Sequence, residues 1–219
     1  MKNYNLQSIV EIVSGQLIGD GETLIEQFFF DSRLIVHPVN GIFFALAGNQ
    51  KDGHLYIADA YHKGIRNFVV TQTIQHYDNI NQIIVQNPLT ALQKWAQYHR
   101  QKFSIPIIGV TGSNGKTIVK EWLNQLLWKN FNISRSPKSY NSQLGTALSV
   151  LQLTDVTTLG IFEAGISMPN EMEKLEEIIR PTIGVLTKIG NAHLENFQNE
   201  QQLIQEKLPY INLKPRKFP

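Results

Sequence analysis

The sequence predicts an α/β protein in two parts: a small mixed α/β N-terminal domain, residues 1–82, and a parallel-sheet domain around a phosphate loop, residues 83–219. Two observations carry this. The stretch Ile107 to Thr117, I-I-G-V-T-G-S-N-G-K-T, joins an apolar run to a glycine-rich loop and then at once to a helical pattern. From residue 83 onward, short apolar runs alternate with helical spacing, as in a parallel sheet with helices on its faces.

Taken in order, Leu6, Ile9, Val10 and Val13 form one face of a short first helix, with Gly15 placed to end it. Phe28 to Phe30 reads as a strand that delivers Asp31-Ser32-Arg33 into a loop. Ile42 to Ala47 is a second strand, ending at Gly48 and followed by Lys51-Asp52-Gly53-His54. A helix through Ala58 and Ala60, a turn at Gly64 and a strand Asn67 to Thr71 complete a small mixed unit. The apolar-poor segment Thr73 to Gln82 is the expected domain boundary, and Ile83 to Val85 is expected to open the second domain. Pro88 suits the first turn of a helix carrying Leu89, Leu92, Trp95 and Ala96.

After the phosphate loop, Ile118, Val119, Trp122, Leu123, Leu126 and Leu127 recur at three- and four-residue spacing, which predicts a helix with one apolar face. Asn132 to Ser134 is a short strand, and a helix is expected to run to Leu151. Leu159 to Phe162 is a buried strand with Glu163 at its C-terminal end. Asn170 and Glu173 have the spacing of a capping box for a helix burying Leu175, Ile178 and Ile179. That helix stops at Pro181, before a strand Ile183 to Leu186 and the segment Thr187-Lys188-Ile189-Gly190-Asn191-Ala192-His193.

Composition narrows the function classes. The chain has 219 residues, 42% of them hydrophobic and 17% charged, with a formal charge of +2 and no cysteine. Disulfides and thiolate metal sites are excluded, and a reducing compartment fits. Basic residues do not cluster except at Lys214, Arg216 and Lys217, so nucleic acid is not expected as a partner. No apolar stretch has the length of a membrane span, and Gln7, Ser8 and Glu11 interrupt the N-terminal apolar residues, so membrane insertion is not expected and the expected location is cytoplasmic.

The chemistry centres on the loop. Gly112 and Gly115 let the backbone turn and, with Ser113 and Asn114, bring N–H groups towards phosphate oxygens at the positive end of the next helix. Lys116 is placed for the outer phosphates and the Thr117 hydroxyl for Mg²⁺. The general P-loop pattern wants a glycine where Val110 stands; an ordinary glycine-rich turn would explain the glycines but not Lys-Thr at the helix start. In open α/β sheets ligands sit beyond the carboxyl ends of the strands, where the loop, Glu163 and His193 all fall. Singly, Glu163 reads as a turn cap and His193 as a surface histidine; together, beside a phosphate loop, they suit Mg²⁺ in phosphoryl transfer.

G-V-T-G-S-N-G-K-T, Y-N-S-Q-L-G, E-A-G-I-S-M-P-N-E-M and T-K-I-G-N-A-H-L-E-N-F, in that order, resemble the central ATPase domain of the Mur ligases. The upstream D-S-R, F-F-A-L-A-G and K-D-G-H resemble that family's N-terminal domain, which binds the UDP part of the substrate. Within the family the resemblance is to the branch joining D-alanyl-D-alanine to UDP-N-acetylmuramoyl-tripeptide, in peptidoglycan precursor synthesis, through an acyl phosphate. It implies ATP and Mg²⁺ as cofactors, with Lys116 and Thr117 on the phosphates and metal. Glu163 and His193 become Mg²⁺ ligands, and Asn141 lies near nucleotide and metal. It also implies a carbamylated lysine fourteen residues beyond the histidine, where Lys207 stands; a plain solvated helix lysine is the alternative. Asp31, Ser32 and Arg33 become candidates for the UDP-sugar, though a turn motif holding the small domain together explains them nearly as well.

There are departures from the family pattern. Ser139 and Ser142 stand where the family tends to have asparagine, Ala147 where it often has proline, Asn170 where it often has glycine, and Lys188 where it often has asparagine. Twelve residues follow Lys207, where the family continues with further sheet strands, the pocket for the base and a C-terminal domain. The second domain is therefore expected to be C-terminally truncated, with apolar surface left exposed. Two rivals follow: a non-catalytic module that binds UDP-precursor or ATP, and a Mur-type ligase with another substrate, against whose folate-directed form the D-S-R and K-D-G-H motifs argue.

Overall fold

The computed structural model describes residues 4–48, 52–190 and 194–211. His193, Lys51 and the tail from 213 to 219 lie outside them. The chain divides into two compact units, Met1–Trp95 and Ala96–Pro219. Among the described residues no helix is long and apolar enough to cross a membrane.

The first unit contains β1 (Tyr4–Asn5), α1 (Leu6–Val13), β2 (Gln16–Ile18), β3 (Leu24–Ile25), β4 (Gln27–Phe29), β5 (Gly41–Phe44), α2 (Ile57–His62), β6 (Asn67–Val70), β7 (Asn81–Ile84) and the first half of α3 (Pro88–Gln101). The Asn5 side chain caps α1 by accepting from the Ser8 N–H, and Ser14 rather than Gly15 takes the left-handed conformation at its end. The main sheet runs β2-β7-β6-β5-β4, parallel except for the β2–β7 pair. All four residues of β5 and of β6 are buried, as befits strands covered on both faces. Ile35, Phe43, Ala45, Ile57, Ala60, Ile65, Phe68 and Val70 form one core cluster. Elsewhere in the unit Trp95, fully buried, stacks on Phe44 at 5.9 Å and meets Tyr4 and Phe28 edge-on.

The division falls at Trp95/Ala96, later than the expected 82/83. The strand expected to open the second domain is β7, and it pairs with β6 on one side and β2 on the other. Its partners are thus fixed by ladder bonds to residues 16–18 and 67–70, which local composition does not encode.

The second unit contains β8 (Ile107–Thr111), α4 (Lys116–Leu127), β9 (Ile133–Arg135), α5 (Gln143–Val150), β10 (Leu159–Glu163), α6 (Glu171–Ile179), β11 (Ile183–Leu186) and α7 (Glu200–Lys207). Its four strands are all parallel, in the order β11-β8-β10-β9. β8 and β10 are wholly buried, whereas Ile183 and Leu186 of β11, at an edge of this sheet, are 50% and 36% exposed. Ile108, Val110, Leu159 and Ile161 pack with Val119, Leu123 and Leu127 of α4. Val110, standing where the P-loop pattern wants glycine, is therefore a core residue inside a strand.

Two local expectations are corrected. Only half of the predicted apolar face of α4 is covered: Ile118, Trp122 and Leu126 are 57%, 62% and 74% exposed, and the buried arc turns instead towards Lys120, which is fully buried. Asn170 does not cap α6 with its side chain. It sits at φ 65°, and the Glu171 carboxylate instead accepts from the N–H groups of Ser167 and Met168 at 2.7 and 2.9 Å. At the other end of α6 the buried Arg100 guanidinium donates to the carbonyls of Ile179 and Arg180, satisfying acceptors the helix leaves open.

Candidate active site

The strand registers align the site. Glu163, the last residue of β10, lies opposite Val110 of β8, and Leu186, the last of β11, opposite Thr111. The loop after β8, the end of β10 and the segment after β11 thus emerge side by side, as predicted for the carboxyl ends of a parallel sheet.

The loop is shaped by two glycines with positive φ, Gly112 at 140° and Gly115 at 84°. A side chain on Gly112 would also collide with the Thr187 hydroxyl, which donates to the carbonyls of Thr111 and Asn114 at 3.1 and 2.6 Å. The Ser113 N–H donates to the Lys188 carbonyl at 2.8 Å, and Asn114 N–H reaches the same oxygen at 3.3 Å. Lys188, a departure from the family pattern, keeps its side chain exposed and uses its backbone to tie the loop down.

Lys116 opens α4 and folds back, its Nζ donating to the Gly112 carbonyl at 2.8 Å. Burial lowers its pKa, and the nearby Glu163 carboxylate partly restores it. The Thr117 hydroxyl donates to Glu163 Oε2 at 3.1 Å, and Asn141 Nδ2 donates to the same oxygen at 3.4 Å. Glu163 is wholly buried, and it is no turn cap. Lys207, at the end of α7, is 2% exposed and donates to the Ser113 hydroxyl at 3.3 Å. Burial and the positive charge of Lys116 push its pKa down to about 8, so it is not a solvated helix lysine. Ser113, Lys116, Thr117, Asn141, Glu163 and Lys207 therefore come together.

One carboxylate, one hydroxyl and an amide form a hard oxygen set suited to Mg²⁺ when joined by phosphate oxygens and water. Among the described residues no three His, Cys, Asp or Glu side chains gather at one point. A cavity of about 610 Å³ beside β9 is lined by Glu121, Arg135 and Lys138 but by none of the predicted nucleotide residues. The chemistry of the side chains, not cavity volume, locates the site.

Sequence reasoning missed Lys120. Its Nζ lies 3.1 Å from Glu163 Oε1 and 3.0 Å from Glu121 Oε1, and donates to the Ser136 carbonyl at 2.8 Å and to that of Lys138. A signal existed: at about 100° per residue, Lys120 falls within one arc with Val119, Leu123 and Leu127, the partly buried residues that pack on the sheet.

In the first unit, the Asp31 carboxylate caps a 3₁₀ turn, Ser32–Leu34, by accepting from the Arg33 N–H, and binds the Arg33 guanidinium at 2.6 Å. The Arg33 side chain is 80% exposed, whereas Ser32 is buried. Asp31 and Arg33 line a cavity of about 210 Å³ with Phe30, Leu46, Gly53 and Tyr56.

A parallel sheet with a glycine-rich loop, Lys-Thr at the start of the next helix and a buried carboxylate beside them define an α/β protein of the P-loop type. The family described as the Mur ligase middle domain matches residues 110–216, and the chain belongs to the Mur ligases. It is 37% identical over 166 residues to the UDP-N-acetylmuramoyl-tripeptide–D-alanyl-D-alanine ligase of Rickettsia prowazekii, a match covering 76% of this chain and 37% of that one. Its fold is similar to that of MurF from Acinetobacter baumannii (TM-score 0.88, 24% identity, 96% of this chain and 47% of that chain). A MurF ligase from Thermotoga maritima in complex with ADP matches with a TM-score of 0.74 at 28% identity, over 84% of this chain and 42% of that chain. The chain thus spans less than half the length of each of these relatives.

Proposed function

We propose that the second unit binds ATP with Mg²⁺ and the first binds a UDP-precursor, as parts of a ligase joining D-alanyl-D-alanine to UDP-N-acetylmuramoyl-tripeptide. The observation that carries this is the convergence of Lys116, Thr117, Glu163 and Lys207 at the phosphate loop. The relatives' names supply the substrates, and the ADP complex of one of them supports a nucleotide.

In the proposed reaction the precursor's peptide carboxylate attacks the γ-phosphorus of ATP and ADP leaves. The amine of D-alanyl-D-alanine then attacks the acyl carbon, loses a proton, and phosphate departs with the C–O electron pair. Mg²⁺ supplies charge neutralisation on the phosphates. Lys116 exchanges the Gly112 carbonyl for a phosphate oxygen. Thr117 and Glu163 offer oxygens to the cation, with Asn141 holding Glu163 in place, and His193 joins them by resemblance to the family. Lys207, with its lowered pKa, has the neutral amine needed to add CO₂, and the resulting carbamate would present an anion where a cation now stands. Arg33 and Asp31 are placed to meet the UDP-precursor at the cavity they line, with Ser32 buried behind them.

The test is calorimetric binding of ADP with Mg²⁺, and separately of UDP-N-acetylmuramoyl-tripeptide, to the chain, with phosphate release followed in the presence of all substrates. Both ligands are expected to bind, with Lys116→Ala weakening ADP at least tenfold and leaving the precursor unaffected. Failure of both ligands to bind would sink the proposal. Phosphate release that requires both the tripeptide and D-alanyl-D-alanine would make the chain a working ligase, and binding without release a binding module.

A further inference from the structure

Glu163 is a fully buried carboxylate whose two oxygens face different partners. Oε2 accepts from Thr117 and Asn141 on the loop side, while Oε1 faces inward to Lys120 Nζ at 3.1 Å. No hydrogen bond of good geometry reaches Oε1 among the described residues, so its contact with Lys120 is an ion pair. Lys120 is itself wholly buried: its ammonium donates to the carbonyls of Ser136 and Lys138 and forms ion pairs with the carboxylates of Glu163 and Glu121. The Ser136 hydroxyl meanwhile accepts from the Glu163 N–H at 3.1 Å. Strand end and carboxylate are thus both fixed through the segment between β9 and α5.

A buried ion pair of this kind costs desolvation of both charges, so its presence says little about stability. Here the geometry is that of a carboxylate with one oxygen spoken for. We propose that Lys120 is a positioning residue for the metal: it holds Glu163 Oε1 inward, so that Oε2 alone is presented to the divalent cation beside Thr117. This rests on Glu163 being a Mg²⁺ ligand, as proposed above. Lys120 touches neither nucleotide nor metal and acts through Glu163. A divalent ion bound through one carboxylate oxygen keeps more of its coordination sphere for phosphate and water, which suits Mg²⁺ better than a chelating carboxylate.

The test is the Mg²⁺ affinity of the full chain saturated with a non-hydrolysable ATP analogue, read by calorimetry beside analogue affinity in EDTA and thermal melting. Lys120→Arg keeps the buried charge, but its planar fork engages both carboxylate oxygens and draws Oε2 away from Thr117. Lys120→Met removes the cation and frees Glu163 to rotate. Mg²⁺ affinity is expected to fall about 10- to 100-fold in each folded variant, with analogue affinity in EDTA within about twofold. A folded Lys120→Arg with unchanged Mg²⁺ affinity overturns the proposal, even if Lys120→Met fails to fold. So does a fall in the EDTA arm as large as in the Mg²⁺ arm, which would mean a purely structural role. If the unaltered chain binds the analogue without any Mg²⁺ dependence, the metal-site proposal falls, and this one with it.

Discussion

Burial beside Lys116 makes the ammonium of Lys207 costly, and the cost has a defined pH window. Its folded pKa of about 8 lies below the ordinary lysine value of about 10.4. Between those limits the unfolded chain binds a proton the folded chain lacks, so this group's contribution raises stability as pH rises. Below about 8 both states are protonated and the full penalty is present. Lys207→Met is therefore expected to stabilise the chain at pH 7 by about 1–3 kcal/mol, with the gain shrinking above pH 8. Urea denaturation at pH 7 and pH 10 in CO₂-free buffer measures this, and a gain that does not depend on pH would contradict it. At this scale the sequence was legible where chemistry is local. Gly112, Gly115, Lys116 and Thr117 announce themselves by spacing, whereas Lys120 is defined by Glu163, forty-three positions away, which no window along the chain contains.

Helix α6 shows how an element can be predicted correctly for a reason that proves wrong. Its apolar spacing placed Leu175, Ile178 and Ile179 in the core, where they are. The capping box did not form because Asn170 adopts a left-handed conformation, which carries its side chain away from the first turn, and Glu171 serves the preceding loop amides instead. Glu171→Ala is expected to cost about 1–2 kcal/mol by leaving those amides without a charged acceptor. Glu173→Ala is expected to stay within about 0.5 kcal/mol. Equal losses in thermal denaturation would restore the capping box. Helix α4 carries a related lesson: the apolar residues were real, but periodicity reports how wide an apolar stripe is, not how much of it a sheet covers.

At the scale of the whole molecule, the two-part α/β plan was legible, because strands, helices and turn residues alternate with the right lengths. The boundary was not, since β7 owes its place to residues 16–18 and 67–70. The expected exposed apolar surface is visible in two places: Ile118, Trp122 and Leu126 along α4, and Ile183 and Leu186 on β11. The helix residues lie on one face at four-residue spacing. Trp122→Gln with Leu126→Glu is expected to lower the binding of an apolar dye severalfold and raise solubility, while leaving the melting transition within about 0.5 kcal/mol of the unaltered chain. Undiminished dye binding would move the apolar surface elsewhere. The Lys188 carbonyl, finally, already occupies the amides of Ser113 and Asn114 that a phosphate would use. Loading those two amides is then a substitution, not an addition, so little net hydrogen-bond enthalpy is gained there. A phosphate taking both amides would have to displace the Lys188 carbonyl, so the seat and the segment after β11 compete for the same donors.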